Sequence, residues 1–261
     1  MRQREVPLGR GFLYELYQRR LKRWLVGKDL PRHVGMIVDG NRRWAKQRAQ
    51  ESAAFGHRAG AAKIREFVMW CDDLGIKVVT LYVLSADNIT GRPSEELSEL
   101  YEILAELAEG LSHEGQWRVQ HVGRTDCLPD PLTQALVAAE ARTLTNTGIH
   151  INLAVGYGGR REIADAMRSI LRSHGKEGGT VEELAELLTP EMIADHLYTG
   201  GQPDPDLIIR TSGEQRISDF MLWQSAHSEF YFVEALYPDL REVDFLRAMR
   251  DFARRHRRFG S

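Results

Sequence analysis

Apolar residues along this chain fall into two alternating kinds of stretch. The short kind is a nearly continuous run that ends at polar residues, as in 34–38, 76–84, 117–122, 149–155, 206–210 and 229–233. Runs of this kind predict strands covered on both faces, as in a parallel sheet. The long kind has apolar residues three and four apart. His57 to Leu74 shows it with Ile64, Phe67, Val68 and Cys71, and Gly75 stops it. The stretch from Ser94 shows it most regularly, through Leu97, Leu100, Tyr101, Leu104, Leu107, Ala108 and Leu111. Ser94 is placed as its N-cap and Glu95 and Glu96 fill the first turn. Further helices are predicted from Asp130-Pro131, Arg161, Thr180 with Glu183, Thr189-Pro190 and Val243. Strands alternating with helices at this spacing predict an α/β fold: a single domain with a mostly parallel six-stranded sheet flanked by helices.

Before the first strand, 12–26 has helical spacing of Leu13, Leu16, Tyr17, Leu21 and Trp24, with Arg19, Arg20, Lys22 and Arg23 among them. An amphipathic basic helix of this kind suits a membrane surface. The stripe is short and narrow, which favours packing on its own domain or on a second subunit. Residues 1–30 are therefore expected to form an N-terminal arm and 31–261 the domain. A formal net charge of −2 advertises no nucleic acid, so any basic site must be local. Cys71 and Cys127 lie far apart without zinc spacing, which argues against a disulfide framework and suits a reducing cytoplasm. No apolar run approaches a bilayer span and no signal-peptide core is seen, so a cytoplasmic chain with at most peripheral membrane contact is expected.

The candidate chemistry sits where the strands end. The first strand runs into Asp39-Gly40-Asn41-Arg42-Arg43-Trp44, a carboxylate followed by a turn and a new helix whose amides face an anion. The plain alternative is a helix cap. The polar stretch 46–52 has little periodicity and reads as a mobile loop. Ser85, Ala86, Asp87 and Asn88 follow the second strand. After the fourth comes Gly156-Tyr157-Gly158-Gly159-Arg160-Arg161, which places Arg161 where a dinucleotide fingerprint needs its third glycine, so a nicotinamide cofactor is set aside. The fifth strand ends in Arg210, and Thr211, Ser212, Gly213, Arg216, Ile217 and Ser218 follow. Two arginines six apart with hydroxyls between them suit capture of phosphate oxygens, against the alternative of two solvated surface arginines. In a parallel sheet all four clusters share the carboxyl edge, where α/β sheets bind ligands.

The blocks HVGMIVDGNRRWA, FGHRAG, LYVLSADN, YGGRREI, DLIIRTSGEQRIS and LWQSAHSEFYF occur in the order found in cis-prenyltransferases. From about Leu30 to Gly260 the chain resembles the undecaprenyl diphosphate synthase family, and within it the actinobacterial short-chain Z-farnesyl diphosphate synthases. No Asp-Asp-x-x-Asp pair of the trans class is present. The resemblance implies a homodimer that uses magnesium to condense isopentenyl diphosphate with an allylic diphosphate, geranyl or farnesyl, making a cis double bond. It implies that Asp39 binds magnesium and assists departure of the allylic diphosphate, with Glu229 as a second ligand. The amides of Gly40 to Arg43, with Arg43, His57 and Arg92, would hold the allylic diphosphate, and Trp44 would bound the site. Arg210, Arg216 and Ser218 match the residues for isopentenyl diphosphate, and Ile217, Ser85, Ala86 and Asp87 are counted with the substrate contacts. Asn88 matches a proton acceptor or relay. Because an amide is a poor base, a role in orienting substrate or passing the proton to pyrophosphate is expected.

Arg258-Phe259-Gly260 matches a tail that reaches the partner's site; a frayed basic tail is the plain alternative. The resemblance also makes Leu100, Leu104 and Leu107 walls of a hydrocarbon tunnel, whereas periodicity alone makes them core. Val83 stands where a small residue accompanies long products, so a short product is expected, with a long-chain synthase as the alternative. The chain departs from the family pattern at Ser52, Ala53 and Ala54, which lack the arginine usual before Phe55; Arg48 is the expected substitute. Ile89, Gln215 and His227 also replace more common residues. Two rivals remain: a noncatalytic accessory subunit of the same fold, and a phosphohydrolase using Asp39, which Asn41 disfavours.

Overall fold

The structure, a computed structural model, describes residues 8–49 and 52–255, the first six by backbone alone. In chain order, α1 (Leu8–Leu25) leads to β1 (His33–Ile37), α2 (Asn41–Gln47), α3 (Ala53–Asp73), β2 (Val78–Ser85), α4 (Ala86–Gly91) and α5 (Ser94–Ser112). Then come β3 (Arg118–Val122), α6 (Asp130–Thr143), β4 (His150–Tyr157), α7 (Gly159–Lys176), α8 (Val181–Leu187) and α9 (Pro190–Asp195). The chain closes with β5 (Leu207–Arg210), β6 (Glu229–Phe232) and α10 (Glu242–Arg254). The six expected strands form one sheet of order β3-β4-β2-β1-β5-β6, and every pair is parallel.

The continuous apolar runs account for this arrangement. Every residue of β1 and of β5 is buried, as strands covered by helices on both faces require. β2 leaves β1 on one side and β5 lies on the other, so the strand order reverses between β1 and β5. The crevice outside their carboxyl ends is therefore the place for a ligand. The apolar faces of α3 and α5 meet in the core, where Phe67, Val68, Leu100, Leu104 and Leu107 belong to one buried cluster. Each such side chain contributes roughly 2 kcal/mol by leaving water.

Two segments differ from expectation. Lys46 and Gln47 are the last turn of α2 instead of the start of a loop, and α3 begins at Ala53, with the Ser52 hydroxyl accepting from the Ala54 amide at 3.1 Å. Polar residues hide a short helix when its buried face is a single residue, here Ala45. The N-terminal arm packs on its own domain: Leu21 and Leu25 are buried, and Arg241, just before α10, and Arg247 and Arg254 of α10 lie over Tyr14, Tyr17 and Trp24 of α1 at 4.8, 5.3 and 5.4 Å. Tyr17, Leu21 and Trp24 of the apolar stripe are covered in this way, whereas Leu16 stays exposed.

A polar ladder crosses one sheet face. The His33 ring donates to the Pro203 carbonyl at 2.7 Å and meets the Thr80 hydroxyl at 2.8 Å, and Asn152 donates to Thr80 at 3.0 Å and to Gln202 at 2.7 Å. Burial depresses His33 to about 4, from an ordinary 6.5. Between these values the unfolded chain holds a proton that the folded chain refuses, so stability is lost as pH falls from about 6.5 towards about 4. Urea unfolding at pH 7 and pH 5 is expected to show a loss of about 2 kcal/mol from His33. Equal midpoints would mean that His33 accepts a proton without opening the ladder.

Candidate active site

Ile37 and Arg210 are partners at the ends of β1 and β5, and Asp39 lies two residues beyond. Gly40 turns the chain into α2. Its φ of 109° is in the left-handed region, and a Cβ there would stand 2.9 Å from Leu236. The first-turn amides of α2 then open beside the carboxylate. Gly56 and Gly60 let α3 pass closely over this turn: a Cβ on Gly56 would meet the Asn41 carbonyl oxygen at 2.1 Å, and one on Gly60 the Asn41 side chain at 2.6 Å. That contact brings His57 to the site, buried.

Arg210 organises the β5 side. Its Nη2 donates to Asp39 Oδ2 at 2.7 Å, and its Nη1 donates to the Ser218 hydroxyl at 2.8 Å and to the Arg216 carbonyl. Arg43 Nη2 lies 3.4 Å from the other Asp39 oxygen. Burial pushes the Asp39 carboxyl up, but the Arg210 hydrogen bond and the charges of Arg210 and Arg43 outweigh it and hold it below the usual carboxylate value. The loop carrying Ser218 has four non-glycine residues in the left-handed region, Ser212, Ser218, Asp219 and Met221, each costing of order 1–3 kcal/mol. It is held by the amides of Gly159 and Arg160, which donate to the Asp219 carbonyl at 2.8 Å and carboxylate at 3.1 Å, and by the Met221 amide, which donates to Tyr157 Oη at 3.1 Å. The Tyr157 hydroxyl in turn donates to the buried carboxylate of Glu162.

On the α3 and α5 side, one oxygen of Glu96 collects three groups: His57 Nε2 at 3.3 Å, Arg92 Nη1 at 3.3 Å and Arg42 Nε at 3.6 Å. Burial and the Arg92 charge depress His57 despite Glu96, so it is a neutral imidazole at pH 7.

These elements enclose one cavity of about 1030 Å³. Of the residues singled out from sequence, Asp39, Gly40, Asn41, Arg42, Arg43 and His57 line it from the β1 side. Val83, Ser85, Asp87, Asn88 and Arg92 line it from β2 and α4, and Arg210, Arg216, Ile217 and Ser218 from β5. Eight Lys and Arg side chains face it against three aspartates, Asp39, Asp87 and Asp219. Sequence reasoning missed Lys46, Arg160, Arg161 and Asp219. The arginines stood in the glycine turn that was set aside as a failed fingerprint, and only the loop at Asp219, which Arg160 meets through its amide, brings them to the site.

Five expectations need correction. Glu229 begins β6 level with Leu207, at the amino end of the sheet, and its carboxylate pairs with Arg255 at 3.0 Å. It stands roughly 16 Å from the level of Asp39 along the strands, so the two cannot share a metal within one chain. Leu100, Leu104 and Leu107 are core side chains and do not line the cavity, which Val83 reaches alone among the expected tunnel residues. Arg48 does not supply the missing cation: it stacks on Trp44 at 3.9 Å and pairs with Asp239 at 2.8 Å, whereas Lys46, three residues from Arg43 on the same helix face, lines the cavity. Trp44 also lies outside the cavity, stacked on Phe55 at 5.3 Å with its ring N–H donating to Asp239 at 2.8 Å. Ala86, the first residue of α4, is buried and does not line the cavity, and Arg258 and Gly260 lie outside the described residues.

A doubly wound parallel sheet with cationic side chains gathered around one carboxylate at its switch point defines an α/β fold with an anion-binding site, and likeness to known proteins identifies the family. Residues 37–260 match the family model Prenyltransf, whose description is undecaprenyl diphosphate synthase, and the chain belongs to that family of cis-prenyltransferases. It is 56% identical over 248 residues to a (2Z,6E)-farnesyl diphosphate synthase of Thermobifida fusca, covering 95% of this chain and 97% of the relative. It is 52% identical over 252 residues to isoprenyl transferase 1 of Streptomyces avermitilis, covering 97% of each. Among solved structures, lavandulyl diphosphate synthase from Lavandula x intermedia in complex with dimethylallyl diphosphate matches with a TM-score of 0.82 and 34% identity, over 89% of this chain and 99% of that one.

The donor set bears on magnesium. Among the described residues no group of three or more His, Cys, Asp or Glu side chains could hold a metal. Magnesium commonly takes one or two protein carboxylates and completes its shell with substrate phosphates and water, and Asp39 facing the cavity fits that pattern.

Proposed function

We propose that this chain is a magnesium-dependent cis-prenyltransferase that joins geranyl or farnesyl diphosphate to isopentenyl diphosphate and releases a short product, of Z,E-farnesyl type. One observation carries the reading: two donor clusters, Arg42, Arg92 and neutral His57 on one side and Arg210 and Arg216 on the other, share a single cavity with Asp39 between them. Two diphosphates can lie side by side there, which a phosphohydrolase has no use for. Retention of the whole set also disfavours a noncatalytic subunit.

In the reaction the bond from C1 of the allylic substrate to its diphosphate oxygen breaks, leaving an allylic cation. The double bond of isopentenyl diphosphate attacks C1, and the new product loses a proton to give a cis double bond. The residues act on the charge that moves. Arg43, Arg92 and neutral His57 hold the allylic diphosphate, and fixed donors that oppose growing negative charge lower the barrier most. Asp39 would hold magnesium, which would supply further neutralisation of the departing group. Arg210, Arg216 and Ser218 hold isopentenyl diphosphate so that its double bond faces C1. Asn88 and Ser85 line the same cavity; the Asn88 amide is assigned to orienting substrate, and the proton to pyrophosphate.

Product length is assigned to Val83, the apolar β2 residue at the cavity wall with the α5 leucines packed in the core. Val83→Ala is expected to move the product distribution to longer chains, read by chromatography of dephosphorylated products, and an unchanged distribution would place the stop elsewhere. A homodimer is supported by β6, an edge strand whose Phe230 and Phe232 rings stack at 6.3 Å with Phe232 exposed, since natural sheets cover such edges. Arg258-Phe259-Gly260 is assigned to the partner's site. The enzyme is read as cytoplasmic; no helix among the described residues is long and apolar enough to cross a membrane. Labelled isopentenyl diphosphate incubated with each starter, with and without a chelator, tests the whole reading. Chelator-sensitive label in a short Z-prenyl alcohol supports it, and release of phosphate without transfer refutes it.

A further inference from the structure

The cations of the allylic half-site are not idle in the ligand-free chain. Glu96 Oε1 lies within 3.6 Å of His57, Arg92 and Arg42, and its side chain is only 12% exposed. With His57 neutral, the cluster of two arginines and one carboxylate carries about one net positive charge instead of two. Arg92 Nε, buried and without a hydrogen-bond partner, shows that this guanidinium has a donor left for another acceptor. Glu96 itself sits in the first turn of α5, where the helix dipole favours a carboxylate, and it does not line the cavity. It is an internal anion on the far side of the cations that a diphosphate must engage.

From this arrangement we propose that Glu96 sets how long a prenyl diphosphate stays bound, by competing with its diphosphate for Arg42, His57 and Arg92. The inference rests on the reading of the cavity as a prenyl diphosphate site. A diphosphate that enters must share these three groups with Glu96, and the carboxylate retakes them as the ligand leaves. The starter and the product are both allylic diphosphates, so the same competition weakens starter binding and speeds product departure. Product release limits turnover in many well-evolved enzymes. A residue that speeds release also limits the number of additions before the product escapes, so Glu96 acts on product length from the diphosphate end, independently of the apolar wall at Val83.

The test uses the full-length enzyme and farnesyl thiolodiphosphate, an unreactive analogue of an allylic diphosphate, with stopped-flow measurement of its dissociation. Glu96→Gln is expected to slow dissociation about tenfold, to give a pre-steady-state burst of product followed by a lower kcat, and to shift products to longer chains. Glu95→Gln, an exposed neighbour in the same turn, is expected to match the parent. Glu96→Asp keeps the helix-start charge but draws it back by one methylene, and should slow dissociation as well. It decides the matter if the glutamine variant does not fold. Unchanged or faster dissociation in the folded variants would overturn the proposal, because Glu96 would then merely hold the cations in place. If the parent enzyme itself fails to bind the analogue, it is the function reading that falls.

Discussion

Asp39→Asn lowers prenyl transfer about a thousandfold, roughly 4 kcal/mol of barrier, with the KM for both substrates changed far less. Asparagine keeps the shape and an acceptor for the Arg210 Nη2 at the 2.7 Å contact, while the charge that faces the departing diphosphate is gone. The backbone of the turn is unaffected, since the Asp39 carbonyl still accepts from the Tyr237 amide at 3.0 Å and the Thr211 hydroxyl at 2.7 Å. Steady-state rates with saturating magnesium, beside a thermal unfolding curve, check this. A variant within tenfold of the parent would remove Asp39 from the chemistry.

Arg210→Lys has the second largest expected effect, raising the KM for isopentenyl diphosphate about a hundredfold while leaving that for the allylic substrate near its parent value. The guanidinium simultaneously holds the Asp39 carboxylate, the Ser218 hydroxyl and the Arg216 carbonyl, all from a side chain that is 5% exposed. An ammonium keeps the charge but cannot present donors in that fork. The strained loop from Ser212 to Met221 then loses its inner anchor, and Ser218 with it. Equal increases in both KM values would show that Arg210 serves the site as a whole and not one berth.

Much of this was legible in the sequence, for reasons that can be stated residue by residue. The strands were readable because 34–38 and 207–209 are continuous apolar runs, a pattern that a chain buried on both faces must have. The carboxyl-edge clusters followed from parallel direction alone, which is why Asp39, Ser85 and Arg210 converge. Helix phase was the limit at Lys46 and Arg48: both are cations near the site, and only the turn of α2 sends one to the cavity and the other onto Trp44. Periodicity cannot distinguish a leucine that packs on Phe67 from one that lines a tunnel, so Leu100, Leu104 and Leu107 were open to both readings. Glu229 was misplaced because a motif match carries a role without a position; standing first in a parallel strand, it had to lie at the amino end. Glu96 was visible only as a first-turn acid, since its three partners come from α2, α3 and the residue just past α4.

The central position of β1, between β2 and β5, also governs how the molecule is made. Asp39 and Arg210 are 171 residues apart, so a ribosome adding 5–20 residues per second delivers the second roughly 10–35 s after the first. During that interval the nascent β1 has one neighbour and one open flank, and its aspartate has only Arg43, four residues on, without the buried guanidinium of Arg210. A chain stalled in that window is half a sheet with a sticky border, the species that holdase chaperones bind.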